Sequence, residues 1–251
     1  MRHLKNIDTF FGLNEQLFGN AATKIAKELF GSKKGSTATT YSGTSPQPSI
    51  SNGETKGEVK IQKTDRPPDS AKDLGSYGKF TQGANPNSPL VVVYGGTDVG
   101  GRKSGVYMYD YFGGFENRYN LFVAKDPNIN GLEAYKAIKN KVGSAPSKKI
   151  LYLFSGGYRP GKKLLEQVGA GEFDKIYLVD IWMGNQPVGD FYSKLAEGNG
   201  KKIEYYYTSF GGNNSSATNR IASASSVKIK QKENSHMKTN EDAVKSLATY
   251  A

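Results

Sequence analysis

After residue 88 the chain alternates between two kinds of segment, and this alternation limits its fold more than any other feature. Six runs rich in β-branched and aromatic residues are bounded by Gly, Pro, Asn or Lys: PLVVVYGG (89–96), GVYMYDYF (105–112), YNLFVAK (119–125), KKILYLFS (148–155), DKIYLVDIW (174–182) and KKIEYYYTS (201–209). SSVKIKQ (225–231) is a weaker seventh. Several are apolar almost throughout, as strands covered on both faces are. Between them lie stretches with helical spacing at 131–141, 160–169, 187–197, 214–224 and 240–249. Strands alternating with helices predict the α/β class: a three-layer, doubly wound, mostly parallel sheet with right-handed crossovers. Short glycine-rich links between the first strands predict an antiparallel pair at that end.

The preceding residues differ in composition. Residues 1–31 carry apolar side chains at roughly helical spacing, among them Leu4, Ile7, Phe11, Leu17, Ile25 and Phe30. They read as an amphipathic docking or targeting head, too short to bury a core alone. Residues 32–73 are rich in Ser, Thr, Gly, Pro and Lys and are expected to be a disordered linker. Residues 74–251 read as the globular domain.

The chain has no cysteine, which excludes disulfides, thiol catalysis and cysteine-ligated zinc. Two histidines far apart in sequence make no zinc set, and neither metal nor cofactor is expected. A net charge of +11 suggests polyanionic partners. The lysines are scattered, however, with no basic helix or RNA-binding signature, so nucleic acid is not an expected partner. No apolar run is long enough to span a bilayer. The N-terminus lacks a signal-peptide core, so synthesis in the cytoplasm is expected.

In open α/β sheets ligands bind beyond the carboxyl ends of the strands. The residues following each run are, in order, Gly95-Gly96-Thr97-Asp98, Ser155-Gly156-Gly157, Asp180, Gly211-Gly212-Asn213-Asn214 and, on a loop before the last helix, His236. Serine, acid and histidine in that order, at the ends of successive strands, resemble the α/β-hydrolase superfamily over about residues 88–251. The resemblance implies Ser155 as nucleophile on a tight strand-to-helix turn, His236 as general base and Asp180 as the carboxylate that orients it. It implies an oxyanion hole from the amides of Gly156 and of Gly96 and Thr97. Tyr158, Trp182 and Asn213 would line the substrate site.

Three departures stand out. Leu153 occupies a position that is usually small. The segment YYYTSFGGNN offers no carboxylate where the acid usually falls, so Asp180 replaces it one strand earlier. The domain has no room for a lid.

Each piece has a plainer reading. A serine before two glycines is commonly just a turn, and an aspartate at a strand end commonly caps a neighbouring loop. His236 weighs more, because the other histidine, His3, lies in the head. GGTDVGGRKSG lacks phosphate-loop spacing. Tyr107, Tyr109 and Tyr111, and the run Tyr205–Tyr207, read as sheet packing.

The leading expectation is a serine hydrolase cleaving an ester or amide bond, with a small-molecule or cell-envelope substrate. One rival is a non-catalytic assembly protein, virion-like in layout, docked into a large protein assembly by residues 1–31. A second is a polyanion-binding module whose affinity falls with salt.

Overall fold

A computed structural model describes residues 66–98, 102–115, 117–142, 145–209, 216–231 and 235–250. The chain divides after Gly57, and every described residue belongs to the second unit, Glu58–Ala251. The expectations for the head at 1–31 and for the linker up to residue 65 fall outside the described residues.

Eight strands form one sheet: β1 (Lys72–Asp73), β2 (Gly78–Thr81), β3 (Leu90–Tyr94), β4 (Asn120–Ala124), β5 (Lys149–Phe154), β6 (Lys175–Val179), β7 (Ile203–Tyr207) and β8 (Val227–Lys230). Their order across the sheet is β1-β2-β4-β3-β5-β6-β7-β8. The β1–β2 and β2–β4 pairs are antiparallel, and all others are parallel. The helices are α1 (Ser104–Tyr107), α2 (Tyr109–Phe112), α3 (Gly131–Val142), α4 (Tyr158–Val168), α5 (Gln186–Asn199), α6 (Ser216–Ala224) and α7 (His236–Tyr250). The protein is therefore of the α/β class. No helix among the described residues is long and apolar enough to cross a membrane.

The central strands are buried on both faces, and their residues alternate between two cores. Leu90, Val92, Tyr94, Leu151, Leu153, Ile176, Leu178 and Tyr205 pack with α3, α4, α5 and α6. Val91, Val93, Ile150, Tyr152, Phe154, Tyr177, Val179 and Tyr206 pack with α1, α2 and α7. The tyrosine runs follow from this. In a strand buried on both sides a tyrosine supplies a large apolar ring, and its hydroxyl must find a partner beyond it. Tyr94 Oη donates to Gly131 O at the start of α3 (2.7 Å), Tyr152 Oη to Asn240 Oδ1 on α7 (2.7 Å), and Tyr192 Oη on α5 to Tyr158 O at the start of α4 (2.8 Å). Each bond fastens one element to the next near the end of a strand or helix.

Residues 105–112, expected as a strand, are instead the short helices α1 and α2. Their aromatics look alternating, but Tyr107, Met108, Tyr111, Phe112 and Phe115 recur at helical spacing and all face one core. Asp98 helps start the turn, its Oδ1 accepting from Ser104 N at 3.1 Å. Arg102 clamps Asp110 with two bonds of 2.6 and 3.0 Å. The first parallel strands, β3 and β4, are thus joined through helices. The antiparallel edge comes instead from β1 and β2, which the sequence reading had not recognised and which begin within the expected linker. The last helix starts earlier than expected, at His236, because Ser235 caps it: Ser235 Oγ accepts from Lys238 N at 3.2 Å.

Candidate active site

Ser155 directly follows β5 and Asp180 directly follows β6, on adjacent parallel strands. Among the described residues these two are the only non-glycine residues with positive φ, 52° for Ser155 and 43° for Asp180. An L-residue in this left-handed region costs about 1–2 kcal/mol. Such strain persists only where the surroundings over-determine it, and it clusters at functional sites.

The two glycines after Ser155 have a different purpose from the one glycine usually serves in turns. Neither has positive φ; the serine itself takes that conformation. A side chain on Gly157 would begin 1.9 Å from Tyr94 O, so the 3₁₀ turn Ser155–Gly157 can lie against the end of β3 only without one. Leu153, large where a small residue is usual, is accommodated from the helix side. A side chain on Gly161 would begin 2.5 Å from Leu153 Cδ2, so α4 passes over Leu153 by having none there.

The turn after β3 closes on the serine from the other side. A Cβ on Gly96 would lie 2.7 Å from Ser155 Cβ and 3.0 Å from its Oγ. A Cβ on Gly156 would lie 3.4 Å from Thr97 N. Gly96, Thr97 and Gly156 therefore surround Ser155. The first turn of α4 follows it at Tyr158, and that helix end carries partial positive charge.

Asp180 is almost fully enclosed, its side chain 1% exposed. Its Oδ1 accepts from Thr208 N (3.0 Å) and Thr208 Oγ1 (2.9 Å), and its Oδ2 meets His236 Nδ1 at 2.6 Å. A carboxylate only accepts, so Nδ1 carries a proton; in a neutral imidazole the lone pair then lies on Nε2. The imidazole stacks on the ring of Phe154, the residue before Ser155, with centroids 4.5 Å apart. No hydrogen bond joins Ser155 Oγ to His236 among the described residues. The geometry thus joins Asp180 to His236 directly and sets the imidazole on the residue that leads into the serine turn.

Trp182 is 43% exposed on the loop after β6, with its ring 6.1 Å from that of Tyr158. Asn213 lies outside the described residues. The sequence reading overlooked Thr208, Phe154 and Gly161. Of these, Thr208 had a signal, being a polar residue at the end of the strand after Asp180's own.

No protein-family model, curated protein or solved structure matches this chain.

Proposed function

We propose that the protein is a serine hydrolase with an α/β-hydrolase-like, doubly wound sheet, cleaving an ester or amide bond through an acyl-enzyme. One observation carries this reading: Ser155 is held in a left-handed conformation at a strand-to-helix turn, directly after Phe154, whose ring stacks on a histidine hydrogen-bonded to a buried carboxylate. In that superfamily the nucleophile sits on a strained turn of this kind, and the order is serine, acid, histidine.

The chemistry follows from the groups present. Ser155 Oγ attacks the substrate carbonyl while His236 Nε2 accepts its proton. Asp180 offsets the charge on the resulting imidazolium and, through Nδ1, keeps the ring oriented. The oxyanion of the tetrahedral intermediate is held by the amides of Gly156 and of the Gly96–Thr97 turn. His236 then returns the proton to the leaving oxygen or nitrogen, leaving an acyl-serine. A water molecule, deprotonated by the same nitrogen, releases the acid and restores the enzyme. The bond between Ser155 and His236 would form as substrate is bound, since catalytic hydrogen bonds often tighten only in the complex.

A fluorophosphonate probe tests the reading. Labelling at Ser155 that is lost in Ser155→Ala and falls by a factor of about 10⁴ or more in His236→Ala supports it. A folded protein that takes no label overturns it.

A further inference from the structure

Close in the chain to Ser155 and Asp180 stand aromatic and polar side chains that take no part in the proposed acyl transfer itself. Trp182, the chain's only tryptophan, presents its indole at the surface. The ring packs close to Gly184, where a side chain would begin 2.5 Å from Trp182 Cζ2. Tyr158 backs it at a tilt of 35°. Two exposed amides come next, Asn185 at the end of the loop and Gln186 at the start of α5. Asn185 holds the N-cap position of α5, yet its side chain makes no capping bond there. Next to Tyr158 in the chain, Arg159 places its guanidinium over the tyrosine ring at 5.7 Å and donates to Asn128 Oδ1 at 3.2 Å.

An exposed indole near a tyrosine ring that carries a guanidinium, followed in the chain by two exposed amides, matches one ligand chemistry better than others. A pyranose ring can lay its C–H face on the indole while its hydroxyls exchange hydrogen bonds with the amides and the cation. An acyl chain over the same surface would strip water from those polar groups and give nothing back. We propose that the loop after β6 and the first turn of α4 form a saccharide subsite, so that the bond cleaved at Ser155 is an acyl ester carried on a glycan. This inference rests on the hydrolase reading for the cleavage step, but not for binding.

The test uses the full chain as Ser155→Ala, in which binding proceeds without turnover. Fluorescence then reports from Trp182 alone. Penta-N-acetylchitopentaose and an oligogalacturonate are titrated to about 10 mM, the weak end of specific binding, with hexanoate as the acyl comparison. The expected result is a saturable change in emission with at least one glycan. Affinity should fall about fivefold in Asn185→Ala, the worth of one hydrogen bond. Calorimetry should show about tenfold loss in Trp182→Ala, partly recovered in Trp182→Tyr. No saturable response to either glycan, a response to hexanoate alone, or undiminished binding by Trp182→Ala would overturn the subsite. Glycan binding by a protein that fluorophosphonate never labels would remove the hydrolase and keep the subsite; labelling without glycan binding would do the reverse.

Discussion

Thr208 donates to Asp180 from both its amide and its hydroxyl, and it stands at the end of β7, the strand neighbouring the one that carries the acid. The carboxylate is therefore steadied from the neighbouring strand. Its Oδ2, which Thr208 Oγ1 also reaches at 3.0 Å, meets His236 Nδ1.

Replacing Thr208 with valine keeps the shape and the amide bond but removes the hydroxyl. Hydrolysis of a simple chromogenic ester is expected to fall about tenfold with little change in KM, the effect of losing one hydrogen bond to a charged group. Asp180→Asn should cost far more, about 10⁴ in kcat, because the amide can hold the wrong imidazole tautomer. Adding Thr208→Asp to Asp180→Asn supplies a carboxylate from the neighbouring strand and should recover at least about tenfold. If Thr208→Val is indistinguishable from the parent in kcat, Thr208 has no share in orienting the base.

The left-handed backbone at Ser155 makes a prediction about stability. Ser155→Gly and Ser155→Ala both abolish the nucleophile, but only glycine removes the steric cost of positive φ. The glycine variant should be more stable than the alanine variant by about 1 kcal/mol, a Tm difference of about 2–4 °C for a domain of this size. Equal melting temperatures would mean that the turn stores no strain.

Buried tyrosines set an alkaline limit. Burial pushes the phenols of Tyr94, Tyr107, Tyr135 and Tyr177 far above the usual tyrosine range, and that of Tyr111 up to about 12. A phenol is neutral when protonated, so their contribution is fully present below about pH 10, the unfolded value. Above it the unfolded chain gives up protons that the native protein retains. Each such tyrosine then lowers stability by about 1.4 kcal/mol per pH unit. Tyrosinate absorbance and circular dichroism should therefore change together, in one steep transition above about pH 10. Smooth ionisation of all sixteen tyrosines near pH 10 in a folded protein would contradict the burial.

Much of the architecture could be read from local pattern. The apolar runs at 89–96, 148–155 and 174–182 needed no tertiary context, because strands buried on both sides leave little room for polar residues. The segment 105–112 misled because its aromatics satisfy both periods over a short window. Only the bond from Ser104 N to Asp98 and the clamp from Arg102 to Asp110, both outside the apolar pattern, favour the helix. β1 and β2 were missed for a different reason: two and four residues long, they hold their place through pairing with β4 rather than through their own composition. At the site, residue type and position after each strand singled out Ser155, Asp180 and His236. The contact of Leu153 with Gly161 and that of Gly157 with Tyr94 O depend on distances between separate elements, which no spacing rule conveys.

His236 opens the same helix whose Ala243, Val244 and Leu247 cover part of one face of the sheet. His236 therefore arrives only with the element that completes the cover of that core. If the proposed function holds, a nascent chain on the ribosome that has displayed Ser155 but not yet released this helix lacks the proposed base. Half-made copies should be chemically silent, and competence should appear in one step as the face is covered.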